Sequence, residues 1–200
     1  MITVADTSGI IALFNRADVE HRQTTNAANA CGLLVISALT ITEVHQVASI
    51  RANRSVADSV IDTLAARADT TRLAIADTTP AILHTAVAIR RQYAHLDLDF
   101  ADAVNVAVAA EFRTNIILTL DRRDIRFLRP LTPHESFQLL PDDLQTPHHK
   151  MACVSRPTTA SADDLNREMW ECRSGYIWPN CCRRSIRVRR YCGHRLGTIA

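Results

Sequence analysis

The chain has 200 residues, 47% hydrophobic and 22% charged, with only five glycines, a composition that excludes collagenous and disordered classes and favours a globular, helix-rich protein. No apolar run approaches the ~20 residues of a membrane span, and the start MITVADTSG lacks the basic segment of a secretory signal, so no membrane association and a cytoplasmic location are expected. The formal net charge of +2 conceals two unlike regions: residues 1–146 carry 13 Arg and no Lys against 17 acids (net −4), and residues 147–200 carry nine Arg and Lys150 against four acids (net +6).

In chain order, residues 2–5 (ITVA) form a short apolar, partly β-branched run that predicts a buried strand ending at Asp6. IIALFN has helical spacing, and ADVEHRQTTNAANAC predicts a polar helix closed by Gly32 as a C-terminal cap. LLVIS is a second buried strand. Residues 41–51 predict a helix, and SVADSVIDTLAAR predicts the next, with Ser55 and Asp58 at capping-box positions. RLAIA is a third strand. TTPAILHTAVAIRRQYA is the clearest helix, with Pro80 in its first turn and an apolar stripe of Ile82, Ala86, Ile89 and Tyr93. In FADAVNVAVAAEF the residues Val104, Val106 and Val108 alternate as a strand would, but its alanine content and the better strand NIILTL directly after it favour a helix. Strands alternating with helices predict a three-layer α/β/α domain with a mostly parallel sheet.

Two acids fall at strand ends, Asp6 and Asp121, and two in first turns of helices, Glu43 and Asp102. In an open parallel sheet these positions share one edge, where ligands bind at a switch in strand order. Converging carboxylates repel, and they persist through protonation or by binding a hard cation. No histidine or cysteine accompanies them, which suits Mg²⁺ or Mn²⁺ rather than zinc. Each acid also has an ordinary explanation. Thr40 and Glu43 fit a T-x-x-E capping box, Asp99 and Asp102 fit a helix start, and Asp121 competes with Asp124 as a turn acid. Of the arginines, Arg122 and Arg123 flank Asp121, and Arg90 and Arg91 end a helix, where they also answer its dipole.

The stretches VADTSGIIALFN, ISALTITEV, DFADAVNVAVAAE and ILTLDRRDIRFLRP resemble, in order and spacing, the PIN-domain ribonucleases, especially VapC-like toxins of type II toxin–antitoxin pairs. The resemblance runs from Met1 to about Leu140, with FQLLP like the family's closing strand. It implies a PIN-like fold and Mg²⁺-dependent endoribonuclease activity, with Mn²⁺ as the alternative ion. The products it implies carry a 5′-phosphate and a 3′-hydroxyl. RNA, a cognate antitoxin and a second copy of the chain are the implied partners. Carried over residue by residue, its acids fall on Asp6, Glu43, Asp102 and Asp121. Asp6 and Asp102 are expected to hold the metal, with Glu43 and Asp121 orienting water, and Ser8 and Arg122 are expected at the substrate. Two rivals compete with this reading. One is a non-catalytic binding module whose acids merely cap helices. The other is a phosphatase of the haloacid dehalogenase type, which needs a second Asp where this chain has Ser8.

The proline-containing stretch LLPDDLQTPHHK marks a boundary between a nuclease domain, residues 1–143, and a linker and tail, residues 144–200. The tail has no counterpart in the family and holds both tryptophans and five of the six cysteines. Cys172, Cys181, Cys182, Cys192 and His194 lack the paired spacing of a zinc knuckle. The tail is expected to be disordered or loosely ordered and to bind nucleic acid only through charge.

Overall fold

The computed structural model of the chain describes residues 1–69, 72–96 and 98–144. The expectations placed on the tail, its tryptophans and its Cys/His group lie outside those residues.

The first strand, β1 (Ile2–Ala5), runs through the middle of the sheet, and α1 (Thr7–Phe14) and α2 (His21–Ala30) carry the chain to β2 (Leu33–Ser37) on one side of it. Two helices, α3 (Ala38–Arg51) and α4 (Arg54–Ala68), then lead to β3 (Leu73–Ala76) at that edge. The chain crosses back through α5 (Pro80–Gln92), a 3₁₀ turn at Ala94–Leu96 and α6 (Phe100–Glu111) to β4 (Ile116–Leu118) on the other side of β1. The short helix α7 (Arg122–Ile125) precedes β5 (Gln138–Leu140). The order is β3-β2-β1-β4-β5, and every pair is parallel. The expected mostly parallel sheet is wholly parallel among the described residues. Its order switches at β1, the geometry that opens a crevice at the strand C-termini.

Strand periodicity explains the layers. Ala5, Leu34, Ile36, Leu118 and Leu140 pack into a core with α1, α2, α3 and α4, while Val4, Val35, Ile117 and Leu139 pack into a second core with α5, α6 and α7. Successive side chains of a strand point to opposite faces, so one apolar run supplies both cores. Burial on all sides also resolves the ambiguity of residues 100–112. Every residue from Ala103 to Ala109 is buried, and a helix enclosed all round needs no polar stripe.

Several local expectations change. The N-cap of α3 is Ser37, whose hydroxyl accepts the Thr40 amide at 3.1 Å, so the helix begins a turn earlier than Thr40 and Glu43 lies in its second turn, free of any capping box. Likewise α4 is capped by Asn53 rather than Ser55, and Asp58 meets His45 at 2.9 Å instead. Helix α2 ends at Cys31 in extended backbone, not at Gly32. Gly32 serves close approach: a β-carbon there would lie 3.1 Å from the Met1 nitrogen. Asp99 occupies the N-cap of α6 but makes no side-chain capping bond.

Gly9 is the second close approach, and it shapes the functional edge. A β-carbon at Gly9 would lie 2.5 Å from the Leu118 carbonyl oxygen, so only glycine lets α1 lie this near β4. That proximity brings the first turn of α1 against the residues that follow β4.

Candidate active site

Asp6 leaves the central strand and caps α1, accepting the Ser8 amide at 3.3 Å. It is buried, and a buried carboxylate needs donors. Its Oδ2 also accepts the Ser8 hydroxyl at 2.7 Å and the Thr119 hydroxyl at 2.9 Å, and its Oδ1 accepts the Asn105 amide nitrogen at 3.4 Å. The donors are themselves held. Ser8 Oγ accepts the Leu120 amide at 2.8 Å, and Thr119 Oγ1 accepts the Asp121 amide at 3.0 Å. Asn105 Oδ1 accepts the hydroxyls of Ser37 at 3.3 Å and Thr40 at 3.0 Å. Neither Asn105 nor Thr119 stands out in the sequence. Asn105 is the one polar residue in the buried run 103–109 of α6, and that oddity is the signal that could have found it.

Glu43 reaches the same edge from α3. Its Oε2 accepts the Thr7 hydroxyl at 2.6 Å. Burial pushes its pKa above the ordinary glutamate value, with the charges of Asp6 and Asp99 adding to the rise, while the Thr7 hydrogen bond works against it. Asp102, in the first turn of α6, is pushed well above the usual carboxylate range, first by burial and then by the like charges of Asp6, Asp121, Glu43 and Asp99. Asp121 caps α7 by accepting the Asp124 amide at 3.3 Å. Burial raises its pKa, the charges of Asp124 and Asp6 add to the rise, and backbone amides of Asp124 and Arg123 oppose it. The structure therefore places Asp102 within electrostatic reach of Asp6, Asp121 and Glu43. Among the described residues no arginine or histidine is ion-paired with any of them.

The two residues expected at the substrate are occupied within the protein. The Ser8 hydroxyl is committed to Asp6 and the Leu120 amide. Arg122 places its fork on Asp142, at 2.6 and 2.8 Å, and reaches Glu20 at 3.2 Å. Arg123 pairs with Asp124 at 3.0 Å, and Arg90 donates to the Leu98 carbonyl at 2.8 Å. None of these guanidinium groups is hydrogen-bonded to Asp6, Glu43, Asp102 or Asp121 in the contacts described.

Residues 3–129 match the family model described as the PIN domain. Over 129 residues the chain is 30% identical to Ribonuclease VapC26 of Mycobacterium tuberculosis, covering 64% of this chain and 93% of that protein. Among solved structures it resembles VapC20 of Mycobacterium tuberculosis, a toxin described as cleaving the sarcin–ricin loop, with a TM-score of 0.55 at 19% identity over 62% of this chain and 92% of that one. It also resembles VapBC2 of Rickettsia felis, solved with a DNA fragment from its promoter, with a TM-score of 0.51 at 14% identity over 70% and 98% of the two chains. These matches remove the haloacid dehalogenase reading. The family model covers well over half of the chain, and on that ground the chain belongs to the PIN-domain family, with a VapC ribonuclease among its relatives.

Proposed function

We propose that the chain is a divalent-metal-dependent endoribonuclease and the toxin of a toxin–antitoxin pair. The observation that carries this reading is the position of Asp102, a carboxyl held among Asp6, Asp121 and Glu43 with no paired cation among the described residues. Carboxylates so arranged are stabilised by protons or by a hard cation. The donor set is all oxygen, which fits Mg²⁺, with Mn²⁺ the alternative. Among the described residues no three carboxylate, histidine or cysteine groups meet as a ready-made cage. Mg²⁺ does not require one, since it is commonly held by one or two carboxylates with water and substrate phosphate oxygens completing its shell.

In this reading Asp6 and Asp102 hold the ion. When bound, it supplies positive charge to the phosphodiester oxygens and lowers the pKa of a water molecule. Glu43 keeps one oxygen on Thr7 and orients the attacking water with the other. Asp121, fixed in direction by its capping bond, completes the negative rim that keeps the ion in place. Ser8 and Thr119 hold Asp6 rather than the substrate.

RNA as substrate is supported by the ribonuclease activity named for the mycobacterial relative, and an antitoxin partner by the same kinship. A homodimer belongs to the same proposal. Ile50, 77% exposed on α3, offers apolar surface to either protein partner. The test is cleavage of RNA by the purified full chain after EDTA treatment, with and without added Mg²⁺. Mg²⁺-dependent cleavage that disappears in Asp102→Asn is expected. Undiminished cleavage in excess EDTA would overturn the metal reading, and RNA retained without cleavage would favour the binding module.

A further inference from the structure

The carboxylate of Asp6 is held asymmetrically. Oδ2 faces three donors, the Ser8 amide at 3.3 Å, the Ser8 hydroxyl at 2.7 Å and the Thr119 hydroxyl at 2.9 Å. Oδ1 faces a single donor, Asn105 Nδ2 at 3.4 Å, near the outer limit of an N–H···O bond. An oxygen with three donors has its lone pairs engaged inside the protein. Its neighbour keeps capacity for another partner.

The orientation of Asn105 follows from its surroundings. Its Oδ1 accepts two hydroxyls, from Ser37 and Thr40, and all three residues are buried. Turning the amide over would set its oxygen against the Asp6 carboxylate, acceptor against acceptor, so the nitrogen faces Asp6. Ser37 caps α3, the helix of Glu43, and Asn105 lies one turn beyond Asp102 on α6. A single side-chain amide thus joins the two helices to the carboxylate at the end of β1.

We infer that Asn105 is a positioning residue that sets which oxygen of Asp6 meets a divalent ion, Oδ2 being sealed into the protein and Oδ1 being the liganding atom. The inference rests on the metal-dependent reading above. Asn105 touches neither substrate nor ion in this account. It acts by holding the carboxylate plane while its own oxygen is held by Ser37 and Thr40. Hydrogen-bond partners of a liganding carboxylate tune affinity in this way, and their loss weakens metal binding about 10–100-fold.

The experiment is a calorimetric titration of the full-length chain with Mn²⁺ in the absence of RNA, alongside thermal midpoints. The proteins are wild type, Asn105→Leu and Thr40→Val. Asn105→Leu should weaken Mn²⁺ binding by about 10-fold or more. Thr40→Val, which does not touch Asp6, should weaken it less and in the same direction. In RNA cleavage the metal concentration for half-maximal rate should rise in step, with kcat largely recovered at saturating metal. A folded Asn105→Leu with wild-type affinity would overturn the positioning role and leave the metal reading standing. If Asn105→Leu does not fold, Thr40→Val decides, and unchanged affinity there overturns the role. A wild-type chain that binds no divalent ion would instead remove the metal reading itself, and the inference with it.

Discussion

Thr7 donates its hydroxyl to Glu43 across 2.6 Å, joining the first turn of α1 to the second turn of α3. The bond favours the charged glutamate and opposes the effect of burial on it. Thr7→Val keeps the shape and removes the donor, so the Glu43 pKa should rise further. The expected result is a lower cleavage rate at neutral pH and a stability loss of about 0.5–1.5 kcal/mol. Rate against pH and a denaturant titration check both parts, and an unchanged pH profile would show that Glu43 does not depend on this contact.

Asp102 gives a pH dependence with a definite sign. Its folded-state pKa lies well above the unfolded value, so the folded chain keeps a proton that the unfolded chain releases. Its contribution to stability is intact below the unfolded pKa and is lost as pH rises through the folded pKa. Asp102→Asn should therefore be more stable than wild type at pH 7–8, with the difference closing towards pH 4. A gain of about 1 kcal/mol would appear as a rise in Tm of roughly 2–8 °C. Added Mg²⁺ should raise the midpoint of wild type more than that of the variant, and identical midpoints across the whole pH range would contradict the repulsive cluster.

Asp6 should behave differently, although both acids are proposed ligands. Asp6→Asn sets an NH₂ group against donors that now meet a carboxylate, Asn105 on one side or Ser8 and Thr119 on the other. Loss of cleavage together with a destabilisation of about 1–3 kcal/mol is expected. Asp102→Asn is accordingly the cleaner inactive variant. Equal stabilities of the two variants in urea would argue against the hydrogen-bond ring.

Gly9→Ala tests the close approach of α1 to β4. The added carbon would meet the backbone oxygen of Leu118 at 2.5 Å, and backbone cannot swing aside as a flexible side chain can. Destabilisation of about 1–3 kcal/mol is expected from such overpacking, with loss of activity because Ser8 and Thr119 are driven apart. Near-wild-type urea midpoints would show that α1 shifts at little cost.

Truncation near the expected boundary should leave the domain folded. Leu144 packs on the first core and Asp143 accepts the Leu139 amide at 2.8 Å, so the cut is best placed after Leu144. The truncated chain should retain its thermal midpoint and its metal-dependent cleavage, and lose RNA affinity chiefly at low salt, where basic residues matter most. A large fall in the midpoint would show that residues after 144 support the core.

The layers, and the sheet edge at which the four candidate acids stand, were legible in the sequence because their signals are local. A strand ending in an acid and an apolar run bounded by turns are visible in a few residues, as at Asp6 after ITVA. Capping was less legible. Ser37, Thr40 and Ser55 can all cap a helix, and only the path of the chain selected Ser37 and rejected Ser55 in favour of Asn53. The support around Asp6 was not legible, since Asn105 and Thr119 lie 99 and 113 positions from it in sequence and only the strand order brings them near. The ion pair of Arg122 was hidden for a similar reason: its neighbour Asp121 is visible, whereas its partner Asp142, 20 residues on, is not.

The long span between Asp6 and Thr119 also sets a schedule. A ribosome making this chain releases Asp6 while Thr119, which directly follows the strand β4 that must flank β1, is still 113 residues from synthesis. At about 5–20 residues per second that interval lasts roughly 6–23 s. Throughout it Asp6 hangs from an unfinished sheet without the neighbours that fix its direction, and the other acids are still being added. Whatever catalysis they perform is therefore withheld from the nascent chain and begins only when nearly the whole domain has emerged.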